Sequence, residues 1–160
     1  MKTLVIYYSL DGSTRLIAEA IASTVGADIL ELKPKKELNS KSPFKYLWGG
    51  RQVVMKIKPE ILPLEKNPAD YEMLFMGTPV WAWNYAPPLA TFFAQNKFAG
   101  KKVALFCCNG GQKGKTFENM RKELAGNQIL GEIEFFEPQK KDPQGSTAKA
   151  SVWATEISSS

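Results

Sequence analysis

Short, solid runs of apolar residues alternate along this chain with longer stretches whose apolar positions recur at helical spacing. Thr3–Tyr8 (TLVIYY) is a continuous β-branched and aromatic run, as a strand buried on both faces requires. Tyr71–Gly77 (YEMLFMG) and Lys101–Cys108 (KKVALFCC) read the same way. Asp28–Leu32 (DILEL) sends Ile29 to one side and Leu30 and Leu32 to the other, the pattern of a strand nearer a sheet edge, and Ile129–Phe136 reads as a fifth strand. Between them, Thr14–Val25 places Ile17, Ala20, Ile21 and Val25 on one helical face, and Gly26 stops it. Pro87 and Pro88 open a helix that carries Leu89, Phe92 and Phe93. Thr116–Ala125 turns Phe117, Met120 and Leu124 inward and ends at Gly126, while Ser146–Ile157 buries Ala150, Trp153 and Ile157. The serines at 158–160 read as a frayed tail.

Five strands separated by crossovers of at least ten residues require a parallel sheet with helices on both faces, because each crossover is right-handed. The 160 residues show no internal repeat and no linker long enough to divide them, so residues 1–160 are expected to form one α/β domain. The crossover at 34–70 is unusual: its 37 residues are too many for one simple helix. Phe44–Val54 reads as a helix within it, and Pro59, Pro63 and Pro68 break up the remainder. The longest apolar stretches, Leu4–Tyr8 and Val103–Cys108, are five and six residues, too short to span a membrane. The first of them meets Ser9 and Asp11 too soon to be a signal-peptide core. Two adjacent cysteines, Cys107 and Cys108, make no disulfide framework. The expectation is a reduced, cytoplasmic protein with no membrane partner.

Twenty-one basic against 16 acidic residues give a net charge of +5, but unevenly. The segment 33–58 holds eight basic residues (Lys33, Lys35, Lys36, Lys41, Lys45, Arg51, Lys56, Lys58) and one acid, Glu37, a local net of +7 that leaves −2 for the rest. With no RNA-binding or helix-turn-helix signature beside it, nucleic acid is not the expected partner. The segment reads instead as a docking face for an acidic redox partner, as a site for a nucleotide phosphate, or as a solvated face with Trp48 packed inward.

In an open parallel sheet, ligands bind beyond the carboxyl ends of the strands. The loop after the first strand is Ser9-Leu10-Asp11-Gly12-Ser13-Thr14, leading straight into a helix. Free N–H groups, the positive end of a helix dipole and several hydroxyls suit an anion there; the same residues also make an ordinary helix cap. After the third strand, Thr78-Pro79-Val80-Trp81-Ala82-Trp83-Asn84-Tyr85 sets three large aromatics at the ligand edge. They suit a flat conjugated ligand, or fold partly inward as a lid on the core. After the fourth strand, Asn109-Gly110-Gly111-Gln112-Lys113-Gly114 leaves backbone N–H groups open to close approach.

With these three loops in register, the chain resembles the flavodoxin family over nearly its whole length. Ser9, Gly12 and Thr14 match the family's phosphate loop for FMN. Thr78–Asn84 and Asn109–Gly114 are similar to the loops that flank the flavin ring. The resemblance implies a three-layer α/β sandwich whose five-stranded parallel sheet has the order 2-1-3-4-5, the arrangement general for flavodoxin-like folds. It implies FMN as cofactor, held by Ser9, Leu10, Asp11, Gly12, Ser13 and Thr14, by Thr78, Pro79, Val80, Trp81, Ala82, Trp83 and Asn84, and by Asn109, Gly110 and Gly111. FMN fits better than FAD because the chain has no second unit for an adenylate.

Three features depart from the family pattern. Asp11 stands where a threonine hydroxyl is usual, and its carboxylate repels a phosphate unless it turns away, for instance to cap the following helix. The third loop has no aromatic, so one tryptophan, Trp81 or Trp83, is expected to cover a single face of the ring. The chain is basic where familiar members are acidic. The implied role is a low-potential electron carrier between redox proteins, with an NAD(P)H-dependent FMN or quinone reductase as the alternative. Neither calls for a metal or a catalytic acid, base or nucleophile. Cys107 and Cys108 read as small core residues.

Overall fold

A computed structural model of the chain describes residues 1–36, 50, 51, 53 and 55–160. In chain order its elements are β1 (Thr3–Tyr7), α1 (Ser13–Val25), β2 (Asp28–Glu31), a 3-10 turn (Pro68–Asp70), β3 (Met73–Trp81), β4 (Asn84–Tyr85), α2 (Pro87–Gln95), β5 (Lys102–Asn109), α3 (Thr116–Glu123), β6 (Gln128–Phe136), α4 (Pro138–Lys141) and α5 (Pro143–Ser158). The sheet order is β2-β1-β3-β5-β6, all parallel, with β4 antiparallel on the end of β3. The five parallel strands therefore take the flavodoxin-like order. The short antiparallel β4 is an addition, and it arises because β3 runs on past Gly77 into a hairpin.

Strand periodicity divides the core into two layers. Leu4, Ile6, Leu74, Met76, Val103, Leu105 and Cys107 face α2 and α3, where Leu89, Phe92, Phe93, Phe117 and Met120 are buried. Val5, Tyr7, Met73, Phe75, Ala104, Phe106 and Cys108 face α1 and α5, against Ile17, Ala18, Ile21, Trp153 and Ile157. The buried stripe of α1 runs through Ile17, Ala18, Ile21 and Ala22, while Ala20 and Val25 sit at its margin. Gly26 stops α1 in the left-handed conformation (φ 66°), its N–H bonded to the Ala22 carbonyl.

The ends of the long crossover are tied to each other. Lys35 N–H donates to the Glu60 carbonyl (2.8 Å), Leu62 N–H donates to that of Lys33 (2.7 Å), and Pro34 bridges Ile61. Apart from Gly50, Arg51 and Val53, the helix expected over Phe44–Val54 lies outside the described residues, as do Lys41, Lys45, Tyr46 and Trp48. The C-terminal serines are not frayed. Helix α5 continues to Ser158, and the hydroxyls of Ser159 and Ser160 donate to the carbonyls of Thr155 (2.9 Å) and Glu156 (3.0 Å), satisfying orphan groups at the helix end.

Gly77 lies at the centre of the sheet, opposite Tyr7 on one side and Phe106 on the other. A Cβ there would stand 2.1 Å from the Phe106 ring, so the fully buried ring occupies the space that glycine leaves empty. Gly77→Ala is expected to lower stability by about 2 kcal/mol through overpacking. An unchanged urea midpoint would show that the ring moves aside.

Candidate functional site

Four loops, not three, meet at the carboxyl edge of the sheet and enclose a cleft of about 540 Å³, within the size range of small-molecule sites. The first loop is held by its own side chains. Ser9 Oγ accepts the Gly12 N–H (3.1 Å), and Asp11 Oδ1 accepts the N–H of Ser13, the first residue of α1 (3.0 Å). Gly12 has φ 103°, a conformation that favours glycine. Leu10, Asp11 and Ser13 line the cleft. Ser9 and Gly12 lie behind them, and Thr14 is buried.

The stretch expected as a loop after β3 is a two-residue hairpin. Val80 pairs with Tyr85 and Trp81 with Asn84, and Ala82 and Trp83 make the turn at φ 48° and 61°. Two left-handed central residues suit the right-handed twist of the strands, but each costs on the order of 1 kcal/mol without glycine. Contacts from the next loop and from α3 hold the turn. Lys115 N–H donates to the Trp83 carbonyl (2.9 Å), and Asn84 Oδ1 accepts from Tyr85 N–H (2.8 Å) and Asn119 Nδ2 (3.1 Å). Gly114 passes directly beneath, where a Cβ would stand 2.4 Å from that of Trp83. The buried Thr78 hydroxyl accepts the Ala86 N–H (2.9 Å), securing the hairpin base.

The two tryptophans have different roles. Trp81 is 8% exposed and meets Tyr8 edge to face at 5.6 Å, as part of the core. Trp83 is 67% exposed at the rim. Pro79, Val80, Trp81, Ala82 and Trp83 line this wall of the cleft, whereas Thr78 and Asn84 support it from outside. Asn109, Gly110, Gly111 and Gln112 form the opposite wall, with no aromatic ring. Asn109 is buried, its Nδ2 donating to Glu134 (3.0 Å) and its carbonyl accepting the Glu137 N–H (2.8 Å).

The fourth loop, after β6, was not singled out in the sequence. Glu137 turns at φ 36°, and its carbonyl accepts the N–H groups of Lys140 (3.1 Å) and Lys141 (2.9 Å) in α4. Glu137 and Lys140 line the cleft, and the Gln139 side chain covers Gly12. The available signal was positional: a Glu-Pro turn directly after a parallel strand, at the same edge as the other three loops.

Cys108 also lines the cleft. Burial, with Glu134 adding to it, pushes the Cys107 thiol up to about 12, and burial raises that of Cys108 as well. Both are therefore held as unreactive thiols. They face opposite sides of the sheet, which keeps them from pairing with each other. Among the described residues no cluster of His, Cys, Asp or Glu is arranged to hold a metal ion.

The flavodoxin family profile matches residues 2–137. The chain belongs to the flavodoxin family. A flavoprotein from Lactobacillus acidophilus NCFM, solved in complex with FMN, superposes with a TM-score of 0.71 at 26% identity, covering 90% of this chain and 98% of that one. A flavoprotein from Bacteroides eggerthii gives 0.79 at 22% identity, with 98% of both chains covered. Oxidised flavodoxin 2 from Bacillus cereus gives 0.61 at 19%, with 99% of both covered. No curated protein matches the chain. Among the described residues no helix is long and apolar enough to cross a membrane.

The flavodoxin cleft predicts opposite behaviour for its two tryptophans. Trp81→Ala is expected to cost about 3 kcal/mol of stability, as removal of a large core side chain does. Trp83→Ala is expected to stay within about 0.5 kcal/mol of the parent and to lose the emission that an added flavin quenches. Equal urea midpoints for the two variants would contradict this division.

Proposed function

We propose that this cleft binds FMN and that the protein is a low-potential carrier of single electrons between redox partner proteins. The observation that carries the reading is the pairing of an exposed aromatic face, Trp83, with a glycine wall in a cleft that also reaches the start of α1. Trp83 would cover one face of the ring, Gly110 and Gly111 would offer N–H groups to its edge, and Ser13 would face the phosphate. FMN, when bound, supplies the electron chemistry, while the protein supplies position and electrostatics. The Trp83 carbonyl is engaged by the Lys115 N–H at 2.9 Å. The Ala82 carbonyl would then be the one to accept a hydrogen bond from a protonated ring nitrogen. Burial of a reduced, anionic ring near a phosphate disfavours the second electron and lowers its potential.

A reductase remains the second reading, favoured by one feature: the wall facing Trp83 carries no ring, which leaves space for a nicotinamide or quinone. Anaerobic titration of the FMN-loaded protein separates the two. The carrier is expected to take electrons from dithionite in two resolved one-electron steps and to ignore NADPH. Direct bleaching by NADPH in a single two-electron step would establish the reductase instead.

The basic crossover is the proposed docking face for an acidic partner. Of its described cations, Lys35 pairs with Glu60 at 2.7 Å, while Lys56 and Lys58 border a second cleft of about 450 Å³ next to Tyr85. Neutralising Lys33, Lys36, Lys56 and Lys58 together is expected to slow electron exchange with an acidic ferredoxin about tenfold at low salt and to flatten its salt dependence. An unchanged rate across ionic strength would remove this face from the account.

A further inference from the structure

The first loop brings fewer free donors to the cleft than its sequence suggests. Of the hydroxyls of Ser9, Ser13 and Thr14, that of Ser13 lines the cleft, whereas Ser9 Oγ accepts the Gly12 N–H from behind it and Thr14 is buried. The first N–H of α1, which an anionic ligand would otherwise use, is held by the Asp11 carboxylate at 3.0 Å. Asp11 already fills the role of an anion at this helix start.

The same cleft is lined by a cation with no partner among the described residues. Lys140 lines the same space as Asp11 and Ser13, is exposed, and has no side-chain hydrogen bond or ion pair among the described residues. Its helix is seated at this end of the cleft, because the neighbouring Gln139 amide lies 3.0 Å from where a Cβ on Gly12 would stand. The other acid of the loop, Glu137, is directed elsewhere: its Oε1 lies 3.4 Å from the corresponding Cβ position of Gly110, toward the glycine wall.

We propose that Asp11 and Lys140 are an opposed pair that sets how strongly the cleft prefers a phosphorylated flavin to an unphosphorylated one. The inference rests on the FMN reading of the cleft. Asp11 competes with the phosphate for the Ser13 N–H and repels it. Lys140 supplies the positive charge that the loop's own hydroxyls do not replace. Preference for the phosphate is then an electrostatic balance that fades with salt, unlike that of a nest of neutral donors.

The test is the ratio of FMN to riboflavin affinity, read by flavin fluorescence in the intact protein at low and high salt. Lys140→Met, an exposed substitution, is expected to weaken FMN about fivefold and leave riboflavin unchanged. Asp11→Asn keeps an acceptor for the Ser13 N–H while removing the charge, and is expected to tighten FMN by a similar factor. The double variant should return near the parent ratio. A ratio that neither single variant moves, or FMN and riboflavin affinities that shift together, would overturn the pair while leaving FMN binding intact. A parent protein that takes up neither flavin would overturn the FMN reading itself.

Discussion

A parallel strand cannot be joined to its neighbour by a tight turn; the chain must cross a face of the sheet before it re-enters. Once β1, β3 and β5 are buried on both sides, the five parallel strands leave the sheet at the same edge, and α1, α2 and α3 cover its faces on the return from β1, β3 and β5. The four loops that form the cleft are neighbours for this reason alone, although β1 and β6 are far apart in sequence. The core thus decides where a ligand can bind, and the loops decide what it is. Gly77 shows how little slack this leaves: the Phe106 ring fills the place of its missing side chain at the middle of the sheet.

The hairpin at Trp83 runs against local preference. Its turn residues are Ala82 and Trp83, neither of which favours positive φ, in place of the Asn-Gly or Asp-Gly that usually marks such a turn. What holds it lies elsewhere in the chain: the N–H of Lys115, the amide of Asn119 and the bare backbone of Gly114. The strain is local and the contacts that balance it are tertiary, an arrangement often found where a binding surface must be held in one shape. It also explains why the aromatic wall and the glycine wall belong together. Gly114 serves the tryptophan turn as much as its own loop.

These facts mark what could be read from sequence. The layers, the parallel sheet and the inward faces of α1, α2, α3 and α5 were legible because burial on both sides of a sheet leaves a solid apolar run and burial of one helix face leaves a period, whereas the strand order came from the family resemblance. The continuation of β3 through Pro79 and Val80 was not, since pairing with a two-residue partner leaves no periodic trace. Nor could sequence divide Trp81 from Trp83, which are chemically identical and two residues apart; only the register of the hairpin sends one to the core and the other to solvent. The serine tail was misread because a hydroxyl that bonds the carbonyl four residues back resembles composition typical of disorder until the helix preceding it is known. The loop after β6 escaped notice because its glutamate, glutamine and lysines match no motif.

Charge gives the cleft a direction. Lys140 lines the cleft with Asp11 and Ser13, while Glu137, three residues earlier, has its Oε1 toward Gly110. On the FMN reading, the balance of Lys140 against Asp11 would decide how well the anionic end of the ligand is received, apart from any contact made by its flat end. The reversed placement would set the anion beside Glu137 and leave Trp83 with nothing to cover. The thiol of Cys108, kept protonated by burial, adds no charge to this arrangement. On the FMN reading, orientation would rest on Lys140, Glu137 and Trp83, from loops far apart in sequence that the parallel sheet brings together.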